Sequence, residues 1–139
     1  MEEQQAGSII NNASIAGIRY LGKPQAAYSA AKAGVLHFTK VTAVEYAGFG
    51  VRLNCVVPGL MFTPLVETLG QSDKMEDREL YDKVTSHNVP ARVMGSSADV
   101  ANAATFLASS AARYITGQNL IIDGGLTSST GTGSKVYKL

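Results

Sequence analysis

Ser14, Tyr28 and Lys32 are the residues whose types and spacing point to chemistry. Tyr28 and Lys32 are four apart, about one helical turn, so on a helix they share a face. A phenol titrates near 10, too high for efficient proton transfer at neutral pH, and a neighbouring ammonium favours the phenolate. A serine hydroxyl beside such a pair can donate a hydrogen bond to a substrate carbonyl and hold its oxygen against the phenol. The spacing alone is a weak signal. With six tyrosines in the chain, a Tyr-x-x-x-Lys match arises by chance about one time in three. The bland reading is a packed helix tyrosine and a snorkelling amine. The weight of the three residues therefore rests on the elements that hold them.

Ile9 and Ile10 form a short apolar run after Gly7, ending at Asn12, which suits a buried strand of a parallel sheet. Gly17 to Pro24 reads as a loop. Residues 26–46 turn helical, with Ala31, Val35, Phe38 and Val41 or Val44 as the expected core stripe; other faces are apolar too, so this helix should be covered on two sides. Val51 to Val57 is the second buried strand, closed by Pro58-Gly59, and Thr63-Pro64 offers a helix cap. A charged helix is expected from about Met75 to Ser86. Ser96 or Ser97 caps another, with Val100, Ala104, Leu107 and Ala111 facing the core, and Asn119 to Asp123 is the third strand. The order β-α-β-α-α-β implies right-handed crossovers and a parallel sheet, in which ligands bind at the carboxyl ends of the strands. Ser14, the start of the 26–46 helix, and Pro58-Gly59 fall there.

Four segments in this order resemble the short-chain dehydrogenase/reductase family: Gly7-Ser8-Ile9-Ile10-Asn11 with Ser14-Ile15-Ala16-Gly17; Tyr28-Ser29-Ala30-Ala31-Lys32-Ala33-Gly34; Asn54-Cys55-Val56-Val57-Pro58-Gly59 with Thr63; and Thr116-Gly117-Gln118 with Asp123-Gly124-Gly125. The resemblance implies an α/β fold: part of a Rossmann-like, doubly wound parallel sheet of about three strands with flanking helices. It implies that Ser14 orients the substrate, that Tyr28 is the proton donor or acceptor, and that Lys32 holds the nicotinamide ribose beside Tyr28. It also places Tyr28, Lys32, Pro58, Gly59, Met61 and Thr63 against the cofactor, NAD or NADP. Met61 stands where the family usually has Ile or Val, a change that a backbone contact to the carboxamide tolerates. The Ser14–Tyr28 separation is about one residue longer than the commonest family spacing.

The departure is in what is not matched. The family opens with a Gly-rich turn that cradles the pyrophosphate, and that turn, the Asn-Asn-Ala-Gly segment and the helix bearing a catalytic asparagine have no counterpart. The expectation is a truncated domain over 1–126, the catalytic half of the family's fold, with a flexible tail over 127–139. The function implied is NAD(P)-dependent alcohol/carbonyl interconversion. Two alternatives are a non-redox isomerase, cyclase or dehydratase using Ser14, Tyr28 and Lys32 for proton transfer, and an inactive truncated product. The Gly7 to Asn12 strand would be left as an open edge, so a homo-oligomer built on that edge, on the 26–46 helix, or on both is expected.

Composition narrows the partners. The 139 residues carry 12 Lys plus Arg against 11 Asp plus Glu, which gives no basic footprint for nucleic acid. No stretch approaches the roughly 20 apolar residues of a membrane span. The acidic, polar start is unlike a secretory signal, so a cytoplasmic protein is expected. One cysteine and two histidines without ligand spacing argue against a disulfide framework or a metal site. Cys55, inside a strand, is expected to be a buried small hydrophobe, and Asp123 to end its strand with local hydrogen bonds. Tyr20 and Phe62 are equally readable as pocket or loop-packing residues. The apolar run Leu60, Met61, Phe62 and Leu65 suggests a small-molecule substrate with apolar surface.

Overall fold

The computed structural model of the chain describes residues 1–22, 24–63 and 88–130. The expected helix at 75–86, the Pro64 helix start, Leu65, His87 and the tail beyond Thr130 lie outside them. The element order is β1 (Gly7–Asn12), α1 (Ala26–Tyr46), β2 (Val51–Pro58), β3 (Met61–Phe62), β4 (Gly95–Ser96), α2 (Ser97–Ala108) and β5 (Asn119–Ile122). Short 3-10 turns follow β1, α1, α2 and β5, at Ile15–Gly17, Ala47–Phe49, Ser110–Ala112 and Leu126–Ser128. The architecture is α/β, with a parallel sheet and flanking helices.

The sheet runs β1-β2-β5, all parallel, with Ile9 opposite Leu53, Asn12 opposite Val56 and Pro58 opposite Ile122. β2 is central and buried on both faces, which is why its sequence is nearly continuous in apolar residues. Its odd positions, Val51, Leu53, Cys55 and Val57, join Ala13, Ile15, Leu36 and Ala43 under α1. Val56 faces the other way, into a cluster with Leu107 and Ala112, lined by Val100, Ala103, Ala104 and Leu120. Burying each Val or Leu of this set contributes roughly 1.5–3 kcal/mol. Among the described residues β1 pairs with β2 alone and so forms one edge of the sheet.

Two polar devices fix the helices to this sheet. Fully buried Thr39 donates to the Val35 carbonyl (2.7 Å) and accepts from the Asn11 amide (2.8 Å), with the Cys55 thiol 3.2 Å away. Arg52 on β2 reaches the end of α2, donating to the carbonyls of Leu107 (2.7 Å), which also accepts from the Ser8 hydroxyl (3.2 Å), and of Ser109 (3.2 Å). At the other end of α2, Ser96 and Asp99 form a reciprocal capping box. Those hydrogen bonds, backbone first and hydroxyl second, hold the Asp99 carboxyl below its ordinary value.

The face of α1 differs from the expected one. Its buried positions are Leu36, Thr39 and Ala43, whereas Ala31, Phe38 and Val41 are exposed and Val35 is half-buried. The buried set combines Leu36 with hydrogen-bonded Thr39 and small Ala43, which lets the helix lie close on the sheet. Bulkier Phe38 and Val44 are left outward, 62% and 76% exposed. On α2 the stripe ends with Leu107; Ala112 in the following turn, rather than Ala111, completes the core.

Candidate active site

Each candidate residue is held by a separate local device. Ser14 follows the carboxyl end of β1 in extended backbone (φ −169°, ψ 152°) and caps the 3-10 turn Ile15–Gly17. Its Oγ accepts from the Ala16 N–H at 3.2 Å, which leaves the hydroxyl proton to be donated elsewhere. Tyr28 and Lys32 sit on the first turns of α1, with the Lys32 ammonium 5.7 Å from the centre of the Tyr28 ring, within cation–π range. Lys32 Nζ also donates to the Asn12 carbonyl at 2.9 Å. One cation is thus placed by the tip of β1 and adjoins the phenol. The Tyr28 ring is 48% exposed, open to a small molecule.

The gap between the Ser14 turn and α1 is set by Gly17. A Cβ there would lie 2.7 Å from the Ala33 nitrogen and 2.7 Å from the Lys32 carbonyl carbon, both backbone atoms. Only a residue without a side chain lets the turn close on the helix at the level of Lys32. Gly59, just past β2, has a similar constraint. A Cβ would stand 2.6 Å from that of Asp123, and its N–H donates to the Ile122 carbonyl at 2.8 Å.

Ser14, Tyr28, Lys32, Pro58, Gly59, Met61 and Thr63, the seven residues singled out from the sequence, line one cavity of about 620 Å³. That volume lies within the ~300–1,000 Å³ range of small-molecule sites. It opens where β1 and β2 end, as parallel-sheet topology requires. Its inner wall is apolar, from Ile10 and Val56 on the sheet and Val100, Ala101 and Ala104 on α2. Ser97, at the start of α2, and Asn12 complete it.

The residues present fit the nicotinamide end of a dinucleotide. A cationic donor, Lys32, stands beside the strand-end turn of Pro58 and Gly59, next to an apolar wall on which a flat ring can lie. The α2 wall and the Asn12 carbonyl were not anticipated. The first is a matter of tertiary packing, and the second is a backbone group with no side-chain signature. Asp123 ends β5 as expected, accepting from the N–H groups of Gly125 (2.8 Å) and Thr127 (2.6 Å). Burial works to raise its pKa, but the hydrogen bonds outweigh it and hold the carboxyl below its ordinary 3.8. Cys55 is fully buried and its thiol is pushed up by that burial. Tyr20 lines a second, neighbouring cavity, Phe62 is more than half exposed, and His37 is exposed. Among the described residues no cluster of His, Cys, Asp or Glu is placed to hold a metal, and no helix is long and apolar enough to cross a membrane.

Comparisons with known proteins agree with this fold. Residues 1–127 match the family profile described as enoyl-(acyl carrier protein) reductase. The chain is 38% identical over 126 residues to levodione reductase of Leifsonia aquatica, covering 90% of this chain and 46% of that protein. Among solved structures, a short-chain dehydrogenase/reductase of Burkholderia xenovorans superposes with a TM-score of 0.85 at 45% identity, over 93% of this chain and 48% of that one. A gluconate 5-dehydrogenase of Burkholderia cenocepacia J2315, in complex with NADP and tartrate, superposes with a TM-score of 0.79 at 32% identity, over 93% and 48%. The chain thus spans about half the length of the relatives it matches. With four motifs in register, a parallel β1-β2-β5 sheet and these matches along nearly its whole length, the chain belongs to the short-chain dehydrogenase/reductase family.

Proposed function

We propose that this chain carries the catalytic half of an NAD(P)-dependent oxidoreductase that interconverts a secondary alcohol and a carbonyl. The observation that carries the reading is the convergence of Ser14, Tyr28 and Lys32 on one cavity at the carboxyl ends of β1 and β2. The Ser14 hydroxyl, its lone pair taken by the Ala16 N–H, donates to the substrate oxygen and orients it. Tyr28 gives its phenolic proton to that oxygen in reduction and takes it back in oxidation. Such a positioned proton donor is worth about 10²–10⁴ in rate. Lys32, its ammonium 5.7 Å from the centre of the Tyr28 ring, would hold the ribose hydroxyls of the nucleotide. The Asn12 carbonyl keeps its ammonium at the strand tip. Pro58, Gly59, Met61 and Thr63 line the same cavity and would form the wall against the nicotinamide. The nicotinamide, when bound, supplies or accepts the hydride at the carbonyl carbon. Titration with NADH and with NADPH, followed by nucleotide fluorescence, tests the reading; no binding at millimolar concentration of either would sink it.

The outward face of α1 supports a homo-oligomer as a second part of the proposal. Phe38, Val41 and Val44 are exposed there, and among the described residues β1 is an edge strand. Phe38→Asp should shift the sedimentation coefficient of an assembly toward that of a monomer. A wild-type protein that is monomeric at micromolar concentration would overturn this part.

A further inference from the structure

Beside the catalytic cavity lies a second one of about 400 Å³, to which Arg19, Leu21, Leu60 and Leu126 contribute. The two are linked through the chain. Leu60 stands between Gly59 and Met61, which line the catalytic cavity, and Arg19 is five residues beyond Ser14. The link to Ser14 is rigid: Gly17 N–H donates to the Ser14 carbonyl (3.0 Å), and the N–H groups of Ile18 and Arg19 donate to that of Ile15 (2.9 and 3.1 Å).

The Arg19 guanidinium is itself pinned. Its Nη1 donates to the carbonyls of Leu126 (3.0 Å), Thr127 (3.4 Å) and Ser129 (3.2 Å). A guanidinium has five N–H donors, and Nε and Nη2 make no hydrogen bond or ion pair among the described residues. No carboxylate lines this cavity among those residues. The result is a fixed cation with an uncommitted side, in the donor arrangement that takes a carboxylate through two parallel bonds. Leu21, Leu60 and Leu126 line the same cavity.

We propose that Arg19 is a specificity-determining residue and that the substrate is an oxo acid or its hydroxy-acid counterpart, with an aliphatic stem ending in a carboxylate. The carbonyl end lies at Ser14 and Tyr28, the stem runs past Leu60, and the carboxylate meets Arg19. This inference rests on the oxidoreductase reading for the position of the carbonyl.

The test measures binding of 4-oxopentanoate, 6-oxoheptanoate and 8-oxononanoate, and of their methyl esters, from the shifts of backbone amides and of the Arg19 Nε–H resonance. At the best-fitting length the acid should bind about 10- to 100-fold tighter than its ester, the scale of a charge-assisted pair. Arg19→Gln should bring the acid to the level of the ester and leave the ester unchanged, and Arg19→Lys should fall between. Equal binding of acid and ester by the wild-type protein, or a preference that survives Arg19→Gln, overturns the inference. Should Arg19→Gln fail to fold, the wild-type contrast and Arg19→Lys still decide. Acid binding through Arg19 without any NAD(P)H-linked reduction sinks the oxidoreductase reading and leaves the carboxylate site standing. Equal reduction of acids and esters sinks the Arg19 inference alone.

Discussion

Replacing Gly17 with alanine perturbs the contact that joins the Ser14 turn to the Tyr28–Lys32 helix. The added Cβ would sit 2.7 Å from the Ala33 nitrogen and the Lys32 carbonyl carbon, about 0.7 Å inside the ordinary contact distance. Both obstacles are helix backbone, so neither can rotate away, and the turn and α1 must separate by that amount. Overpacking of this kind costs about 1–3 kcal/mol, and the lower chain entropy of unfolded alanine returns about 0.4–1 of it. A net loss of about 1–2 kcal/mol follows. In urea unfolding monitored by circular dichroism, the midpoint should drop by about 0.5–1 M with an unchanged slope. Gly48→Ala is the control. Nothing lies within 4 Å of a Cβ there, so the entropy gain acts alone and stability should rise by about 0.4–1 kcal/mol. The same shift pulls Ser14 away from Tyr28, and displacements near 1 Å cost about 10²-fold in rate. We therefore expect Gly17→Ala to lose about 10- to 100-fold in kcat. A variant as stable as the wild type would refute the packing argument. Unchanged kcat in a destabilised variant would refute the claim that this gap sets the site.

Further predictions concern single groups. Asp123→Ala removes the acceptor for two backbone N–H groups and should cost about 1 kcal/mol after allowance for partial exposure. Because the folded pKa of Asp123 lies below its ordinary 3.8, its contribution is full above that value and is lost as pH falls through the folded one. Acid titration of stability should therefore be shallower in the variant at the acid end. Cys55, buried and with its thiol pushed up, should react with an aromatic disulfide reagent only as fast as the protein opens. Prompt reaction in native buffer would contradict its placement.

The strands and helices that carry the site were legible because their signals are local. The run Val51 to Val57 reads as a two-sided strand, Ser96 as a cap, and Tyr28 with Lys32 as one helical face. These are decided within a turn or two of chain, and the structure has β2, α2 and α1 where those signals put them. The buried face of α1 was misread for a physical reason. A helix apolar all round gives no preferred stripe, and the choice falls to a residue that looks polar. Thr39 is buried because its hydroxyl has partners in Val35, Asn11 and Cys55, two of them distant in sequence. Arg19 and the Asn12 carbonyl escaped notice for the same cause. What each does is fixed by backbone groups brought together only by the fold, Leu126 to Ser129 for the first and Lys32 for the second. The gap held by Gly17 was likewise invisible, since the chain shows only a glycine in a loop.

The proposed role of Tyr28 is to move the proton in a nicotinamide-linked carbonyl reduction. Its most direct test compares wild type and Tyr28→Phe for NADH and NADPH oxidation with an oxo acid, alongside binding of the same nucleotides. We expect a kcat lower by about 10²–10⁴ in the variant, with nucleotide affinity changed only a few-fold. A Tyr28→Phe protein that keeps kcat within a few-fold of the wild type would contradict it.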